Sequence, residues 1–247
     1  SEFFVQMKHL VESGYRCVTL GELVDNLGSG CIQKKTVAIT FDDGFYNNYS
    51  QAYPILKQFG IPATIFVATG YVGSGRLNWP ELNLLLVKLC KSDCLHVGEK
   101  AYSVCSDEDR ARVYNRIEEF RKSMESEQFE LRFDRLLVEA GLSREEVLES
   151  KHAKALSYLE WSHIQEMASS GLIEIGSHSV LHRRLNRLAI EDARWEMQHS
   201  AQEIKDHVGV CRYFAYPYGD YSGIHENMAQ ELGYSAVFTA TQAGVIK

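Results

Sequence analysis

The chain has 247 residues, of which 45% are hydrophobic and 24% charged, and its formal net charge is −7. This composition is ordinary for a globular protein with a sizeable core. The acidic balance excludes a general nucleic-acid binder, because no basic excess exists to neutralise phosphates. No run approaches the roughly 20 apolar residues of a membrane-spanning helix, so we expect no nucleic-acid partner and no membrane-spanning segment.

The cysteines and a short arginine stretch do not by themselves indicate a functional site. Six cysteines in a chain this long do not resemble a disulfide framework, and we expect free thiols. Three of them lie near a histidine, but their spacing fits no standard zinc module: Cys90, Cys94 and Cys105, with His96. A short basic stretch is interpreted as a solvated face, formed by Arg183, Arg184 and Arg187.

The first third of the chain alternates between helix and strand patterns. An opening amphipathic helix is followed by a short strand over 16–20, a helix over 21–27 and a β-branched, buried strand over 36–41. A helix over 47–59 ends at Gly60, with Pro62 shortly beyond. Another buried strand covers 63–68.

Regularity breaks between residues 70 and 157, where charge and helix formers dominate. We interpret about 76–156 as an insertion of two to four helices. The whole chain is then one catalytic-type domain over 1–247. Its uncapped first helix and its end just after a strand predict that the natural domain extends beyond both ends.

Alternation resumes with a helix over 161–170, a strand over 172–176, a helix over 190–207, a strand over 212–216, a helix over 224–232 and a strand over 236–239. Repeated strand–helix units predict an α/β fold with a parallel sheet, open or closed into a barrel. In such folds the reacting groups lie at the carboxyl ends of the strands.

The first motif is TFDDG, at residues 40–44. Asp42 and Asp43 follow an apolar strand directly, and buried carboxylates require a pairing partner or a metal. Gly44 permits a tight turn. The alternative is a helix N-cap by Asp43 beside a solvated Asp42.

The second motif places His178 and His182 four residues apart after a strand. On a helical turn such a pair shares one face, which is the spacing by which paired histidines bind one zinc ion. Two imidazoles and one carboxylate leave coordination positions open for water, as in catalytic rather than structural zinc sites.

The third motif is the Tyr-Pro-Tyr-Gly turn after the strand over 212–216. Such a turn can offer backbone N–H groups to an oxyanion and ring faces to a sugar, so we predict substrate contacts from Tyr216, Pro217, Tyr218 and Gly219. The alternative is a structured loop that only caps the strand.

With TFDDG, HSVLH and FAYPYG in this order, the sequence resembles the polysaccharide deacetylases. These are carbohydrate esterase family four, built on the NodB homology domain, and the FAYPYG form marks a subfamily. The resemblance covers roughly 14–244, apart from the insertion. It implies a distorted (β/α)7 barrel related to the eight-stranded barrel.

The resemblance also implies roles. Asp42 matches the general base, Asp43, His178 and His182 match the metal ligands, and the Tyr218 backbone N–H matches an oxyanion donor. The implied cofactor is a divalent metal, Zn²⁺ first and Co²⁺ or Ni²⁺ as alternatives. The implied reaction is metal-dependent hydrolysis of N-acetyl groups on an amino sugar or polysaccharide.

Two departures from the family stand out. Ala215 occupies the position of an arginine that pairs with the base in many members. Members with the FAYPYG form of the motif also lack this arginine. The general-acid histidine has no match, and related members supply it from segments that this sequence lacks. His9, His163 and His225 lie in helical contexts and are interpreted as surface residues.

Two other functions fit the fold. An amidase acting on a non-sugar C–N bond is one, although the intact TFDDG favours the sugar substrate. A catalytically silent carbohydrate-binding domain is the other, although the retained charge cluster argues against it. The particular glycan, the compartment (cytoplasm or cell envelope) and the oligomeric state are left open by the sequence.

Overall fold

The computed structural model describes residues 1–124 and 126–240. The chain forms two compact units. The main unit comprises residues 1–75 and the chain from 158 onward, and the inserted unit comprises residues 76–157.

Nine strands are described, and seven of them belong to the main unit. In chain order they are β1 Arg16–Cys17, β2 Thr36–Val37, β3 Ile39–Phe41, β4 Ala63–Val67, β5 Cys94–Val97, β6 Lys100–Ser103, β7 Ile173–Ser177, β8 Tyr213–Ala215 and β9 Ala236–Phe238. The α-helices are α1 Glu2–Glu12, α2 Leu20–Gly28, α3 Tyr53–Phe59, α4 Trp79–Leu89, α5 Asp107–Lys122, α6 Ser126–Glu139, α7 Arg144–Glu149, α8 Lys151–Ala155, α9 Trp161–Ser169, α10 Ile190–Val208 and α11 Gly223–Glu231.

The main sheet has five parallel strands in the order β3-β4-β7-β8-β9. It curls into half a barrel, and β1 and β2 form a separate two-stranded parallel sheet. The predicted distorted α/β barrel is therefore confirmed. Its predicted seven strands are divided between two sheets, as far as residues 1–124 and 126–240 show.

The run predicted as one strand over 36–41 is two strands that meet at Ala38. β2 pairs with β1, whereas β3 pairs with β4, so the chain changes sheets at this residue. The predicted helix over 47–59 also divides. A five-residue π-helical turn, Asn48–Ala52, precedes α3, which ends as predicted at Gly60 in the left-handed conformation (φ 64°).

The core of the main unit lies between the sheet and its helices. All five residues of β4 are buried, as expected for a parallel strand covered on both faces. Leu56 of α3, Ile164 of α9 and Met197 of α10 are completely buried in the same core cluster. This packing fixes the strand ends from which the candidate site is built.

In its described residues the inserted unit contains five α-helices, more than the two to four predicted, and a β-hairpin. The hairpin pairs β5 with β6 in antiparallel register and turns at Gly98, which has a φ of 68°. Sequence patterning predicted helices only here, because neither four-residue strand shows clear alternation. Its own core surrounds the completely buried Phe129 and Phe133. Across the described chain, no helix combines the length and apolar character needed to cross a bilayer.

Candidate metal centre

The polar motifs meet at the carboxyl edge of the main sheet. Asp42 and Asp43 follow β3, and His178 follows β7, whose last residue pairs with Phe214 of β8. Parallel strands place their carboxyl ends on one edge. The loops after these strands are therefore brought together although more than 130 residues separate them in the chain.

The turn after β3 is built on an uncommon backbone conformation. Asp43 has a φ of 71°, and the Gly44 N–H donates to the Asp42 carbonyl across it (2.9 Å), as in a γ-turn. Gly44 also has a positive φ (82°), and a Cβ there would lie 3.0 Å from the Val67 Cγ1. Only glycine satisfies both conditions, so the second half of TFDDG is fixed by the backbone.

The loop after β7 is not a helical turn, so the two histidines do not share a helix face. Ser179 and His182 have φ values of 67° and 53°, which interrupt any helix between the two histidines. The His182 N–H donates to the Ser179 Oγ (3.0 Å), and the His178 N–H donates to the Val67 carbonyl of β4 (2.9 Å). The histidines converge through a side-chain-supported loop.

A buried carboxylate supports this loop, and sequence reasoning missed it. The Glu196 Oε2 accepts from the N–H groups of Val180 and Leu181, each at 2.8 Å. The Glu196 side chain is completely buried, and its Oε1 lies 3.2 Å from the Arg183 Nε. The available signal was a glutamate on the apolar face of α10, between Ala193 and Met197.

Three ligand atoms converge on one point. The His182 Nε2 lies 3.2 Å from the His178 Nε2 and 3.1 Å from the Asp43 Oδ1, and the His178 Nε2 lies 3.7 Å from that oxygen. The His178 Nδ1 lies 2.8 Å from the Ala215 carbonyl oxygen. A carbonyl only accepts, so Nδ1 carries the proton and Nε2 presents its lone pair to the cluster.

These three residues fit a divalent metal. Their ligand atoms all lie within 4.8 Å of one another, and among the described residues no other such group of His, Cys, Asp or Glu occurs. Ligands about 2.1 Å from a tetrahedral zinc ion lie about 3.4 Å from each other. The observed separations of 3.1 to 3.7 Å bracket that value.

The two adjacent aspartates differ in environment. Burial raises the pKa of the Asp43 carboxyl, the nearby Asp42 charge raises it further, and His178 lowers it. Asp42 is exposed at the same edge. An ionised Asp43 therefore needs a cation beside it, whereas Asp42 is accessible to a substrate.

The four residues predicted to contact substrate lie in the turn after β8, and they differ in exposure. Tyr216 and Pro217 are buried, Tyr216 with 2% exposure, so direct substrate contact by these two side chains is not supported. Burial raises the pKa of Tyr216 to about 12. Tyr218 and Gly219 are partly exposed at the edge, in left-handed conformations with φ values of 60° and 69°.

The Tyr218 ring contacts the loop after β7 directly. Its centroid lies 4.7 Å from that of His182 in an edge-to-face contact, and 4.4 Å from the guanidinium carbon of Arg184. Arg184 also pairs with Asp220. The interpretation of this arginine stretch as a solvated face is wrong for Arg184, whose side chain is 23% exposed, whereas Arg183 is 44% exposed and pairs with Glu196.

The other histidines and the cysteines have separate places. His163 accepts from the Glu160 N–H and caps α9, and His225 accepts from the Ser222 N–H and caps α11. His225 is buried, so its interpretation as a surface residue is wrong. All six cysteines are free thiols, as predicted.

Comparisons with known proteins show which family this chain resembles. The family model described as polysaccharide deacetylase matches residues 29–237. The poly-beta-1,6-N-acetyl-D-glucosamine N-deacetylase of Staphylococcus aureus (strain N315) is 38% identical over 91 residues, which are 37% of this chain and 31% of that protein. The chain thus matches less than a third of this curated relative's length.

Solved structures share the fold. The Streptococcus pyogenes deacetylase PplD in complex with acetate superposes with a TM-score of 0.60 at 18% identity, covering 97% of this chain and 72% of that one. IcaB from Ammonifex degensii also gives a TM-score of 0.60, at 24% identity, covering 96% and 74%.

Proposed function

Because the chain belongs to the polysaccharide deacetylase family, we propose that it removes N-acetyl groups from an amino-sugar polysaccharide by metal-dependent hydrolysis. The observation that carries this proposal is the convergence of Asp43, His178 and His182 within 4.8 Å. A second carboxylate, the exposed Asp42, directly precedes Asp43 in the same turn.

Asp43 and the two histidines would hold a divalent ion, with Zn²⁺ the best match to two imidazoles and one carboxylate. When bound, such an ion supplies Lewis acidity and lowers the pKa of water towards about 7. The Ala215 carbonyl orients the His178 ring for this task, because it fixes the proton on Nδ1.

Asp42 is proposed as the general base. It adjoins the ligand Asp43 in sequence, and its carboxylate is solvent-accessible. In the proposed step an Asp42 carboxylate oxygen takes the proton of the attacking water, which requires hydrogen-bond reach of about 2.6 to 3.2 Å to that water. The Tyr218 N–H is proposed to donate to the oxyanion that develops on the acetamide, an interaction typically worth about 3 to 4 kcal/mol of barrier.

The proposed substrate class is a polymer containing N-acetylglucosamine. Its support is the similarity to a protein that deacetylates poly-beta-1,6-N-acetyl-D-glucosamine. The match covers 31% of that relative's length, so the experiment below also tests which linkage between the sugars is accepted.

The decisive experiment measures acetate release from β-1,6-linked and β-1,4-linked N-acetylglucosamine oligomers by the zinc-loaded protein. We expect release by wild type and a loss of about 10²- to 10⁴-fold in Asp42→Asn. Zinc content measured by elemental analysis should be unchanged in Asp42→Asn and lost in His178→Ala.

Two results would contradict the proposal. If Asp42→Asn released acetate at the wild-type rate, the base assignment would be wrong. If wild type bound zinc and the oligomers but released no acetate, the protein would be a binding domain. Release of ammonia or a ring-opened acid from cyclic amides, with no acetate from sugars, would identify the amidase alternative.

A further inference from the structure

Arg184 lies two residues after the ligand His182, yet its side chain reaches the other loop of the site. Its guanidinium carbon is 4.4 Å from the Tyr218 ring centroid, and its Nη1 pairs with the Asp220 Oδ2. The Arg184 Nε is buried and makes no hydrogen bond to any described residue. The ring and the carboxylate are therefore the contacts that orient this side chain.

The turn that Arg184 contacts has a strained backbone. Tyr218 adopts φ 60° and ψ 6° inside the short 3-10 helix Pro217–Gly219. A left-handed conformation in a residue with a bulky side chain costs about 1 to 3 kcal/mol and persists only when surrounding contacts enforce it. Arg184 contacts both the strained residue and Asp220, which directly follows this helix.

We propose that Arg184 is a positioning residue that fixes the Tyr-Pro-Tyr-Gly turn to the loop after β7. It acts through Tyr218, whose backbone N–H is the proposed oxyanion donor, so this inference rests on the proposed function. The guanidinium carbon lies over the ring, and the His182 ring makes an edge-to-face contact with the same tyrosine. The turn and the metal ligand are thereby held as one rigid group.

The two contacts of Arg184 predict different effects for a lysine and a methionine at this position. A lysine retains the charge that pairs with Asp220 but lacks the planar group that stacks on an aromatic ring. A methionine fills part of the volume and removes both contacts. Arg184→Met should therefore have the larger effect and Arg184→Lys an intermediate one.

The test combines two measurements on the full chain. Amide hydrogen exchange of peptides covering 216–222 is followed in the metal-free protein, and steady-state acetate release is followed in the zinc-loaded protein. For Arg184→Met we expect exchange about tenfold faster in that segment. We also expect kcat about ten- to a hundredfold lower with KM within about twofold, because a misplaced donor affects the transition state more than substrate binding.

Arg194→Lys is the matched control. Arg194 pairs with Glu231 at 2.6 Å on the surface of the same unit, without an aromatic ring in the pair. This variant should exchange and react as wild type does. Zinc content should be equal in all variants, which separates a displaced turn from a lost metal. If Arg184→Met does not fold, Arg184→Lys alone decides, with the same two measurements and the same directions.

Unchanged exchange over 216–222 in both Arg184 variants would overturn the inference. A raised KM with unchanged kcat would also overturn it, because Arg184 would then be a substrate-binding group. Absence of acetate release by wild type would instead refute the proposed function, and the exchange measurement would still decide whether Arg184 holds the turn.

Discussion

The turn after β3 and the loop after β7 both bring candidate metal-ligand atoms to the same point, but they are stabilised differently. The first is short, and its shape comes from two consecutive positive φ values at Asp43 and Gly44. The second is longer and also has positive φ values, at Ser179 and His182, but it depends in addition on the carboxylate of Glu196, which belongs to a helix beyond the loop. Local backbone conformation accounts for the first, whereas the second also needs a tertiary contact.

This difference predicts where each half is vulnerable. The turn after β3 should fail when a residue that tolerates positive φ is replaced. The loop after β7 should fail when a distant side chain is removed, even if every residue of the loop is kept. Four substitutions test the contrast, in order of decreasing expected effect.

The largest effect is expected for Glu196→Ala. The substitution leaves the N–H groups of Val180 (buried) and Leu181 (partly buried) without their acceptor, and Arg183 without its partner. A backbone donor left without an acceptor costs about 1 to 3 kcal/mol, so the two together predict a loss of about 2 to 6 kcal/mol. We expect that loss in the free energy of urea unfolding, together with weaker zinc binding by competition titration. Wild-type stability in this variant would show that the loop holds its shape alone.

Gly44→Ala should cost about 2 to 3 kcal/mol, the sum of a left-handed alanine and a close contact with Val67. Gly30→Ala is the matched control, because Gly30 also has a positive φ (70°) but a Cβ there meets no atom within 4 Å. The difference between the two unfolding free energies isolates the contact. Equal losses would mean that Val67 yields without cost.

Asp43→Asn should change the pH dependence of the metal-free protein. The raised pKa of Asp43 means that the folded state binds this proton more tightly than the unfolded chain does. Its contribution to stability is therefore greatest at low pH and is lost as pH rises through the folded pKa. Asparagine tolerates positive φ, so the variant keeps the turn.

The measurement is urea unfolding in the presence of a chelator at pH 4.5 and pH 7. The unfolding free energy of wild type minus that of Asp43→Asn should be smaller at pH 7 than at pH 4.5. An equal difference at both pH values would contradict the burial of this carboxylate.

The smallest effect is expected for Arg183→Met. Arg183 is 44% exposed, so its pair with Glu196 is screened by solvent and should contribute under about 1 kcal/mol. Thermal unfolding of the metal-free protein checks this. A loss as large as that of Glu196→Ala would mean that the arginine, and not the backbone N–H groups, satisfies the buried carboxylate.

The same contrast explains what the sequence revealed. The α/β alternation, the helix stop at Gly60 and the convergence of Asp43 with the two histidines follow from short-range patterns and from the rule for strand ends. The loop conformation between His178 and His182 depends on a carboxylate at Glu196. The spacing of the two histidines therefore does not reveal that they lie in an irregular loop.

Two further features lay outside the reach of local patterns. The switch of sheets at Ala38 depends on which strands pair with β2 and β3, and a continuous β-branched run does not encode that choice. The position of Arg184 depends on the turn after β8, more than thirty residues away in the chain. Its charge suggested solvent, whereas its partners form only in the folded site.

The hydrogen bond from His178 to Ala215 has an evolutionary consequence. The acceptor is a main-chain carbonyl, which every amino acid possesses, so the orientation of the imidazole does not depend on which side chain occupies position 215. Ala215 is buried, so a replacement must fit the core around it, but any replacement that fits can leave the tautomer of the His178 ring unchanged.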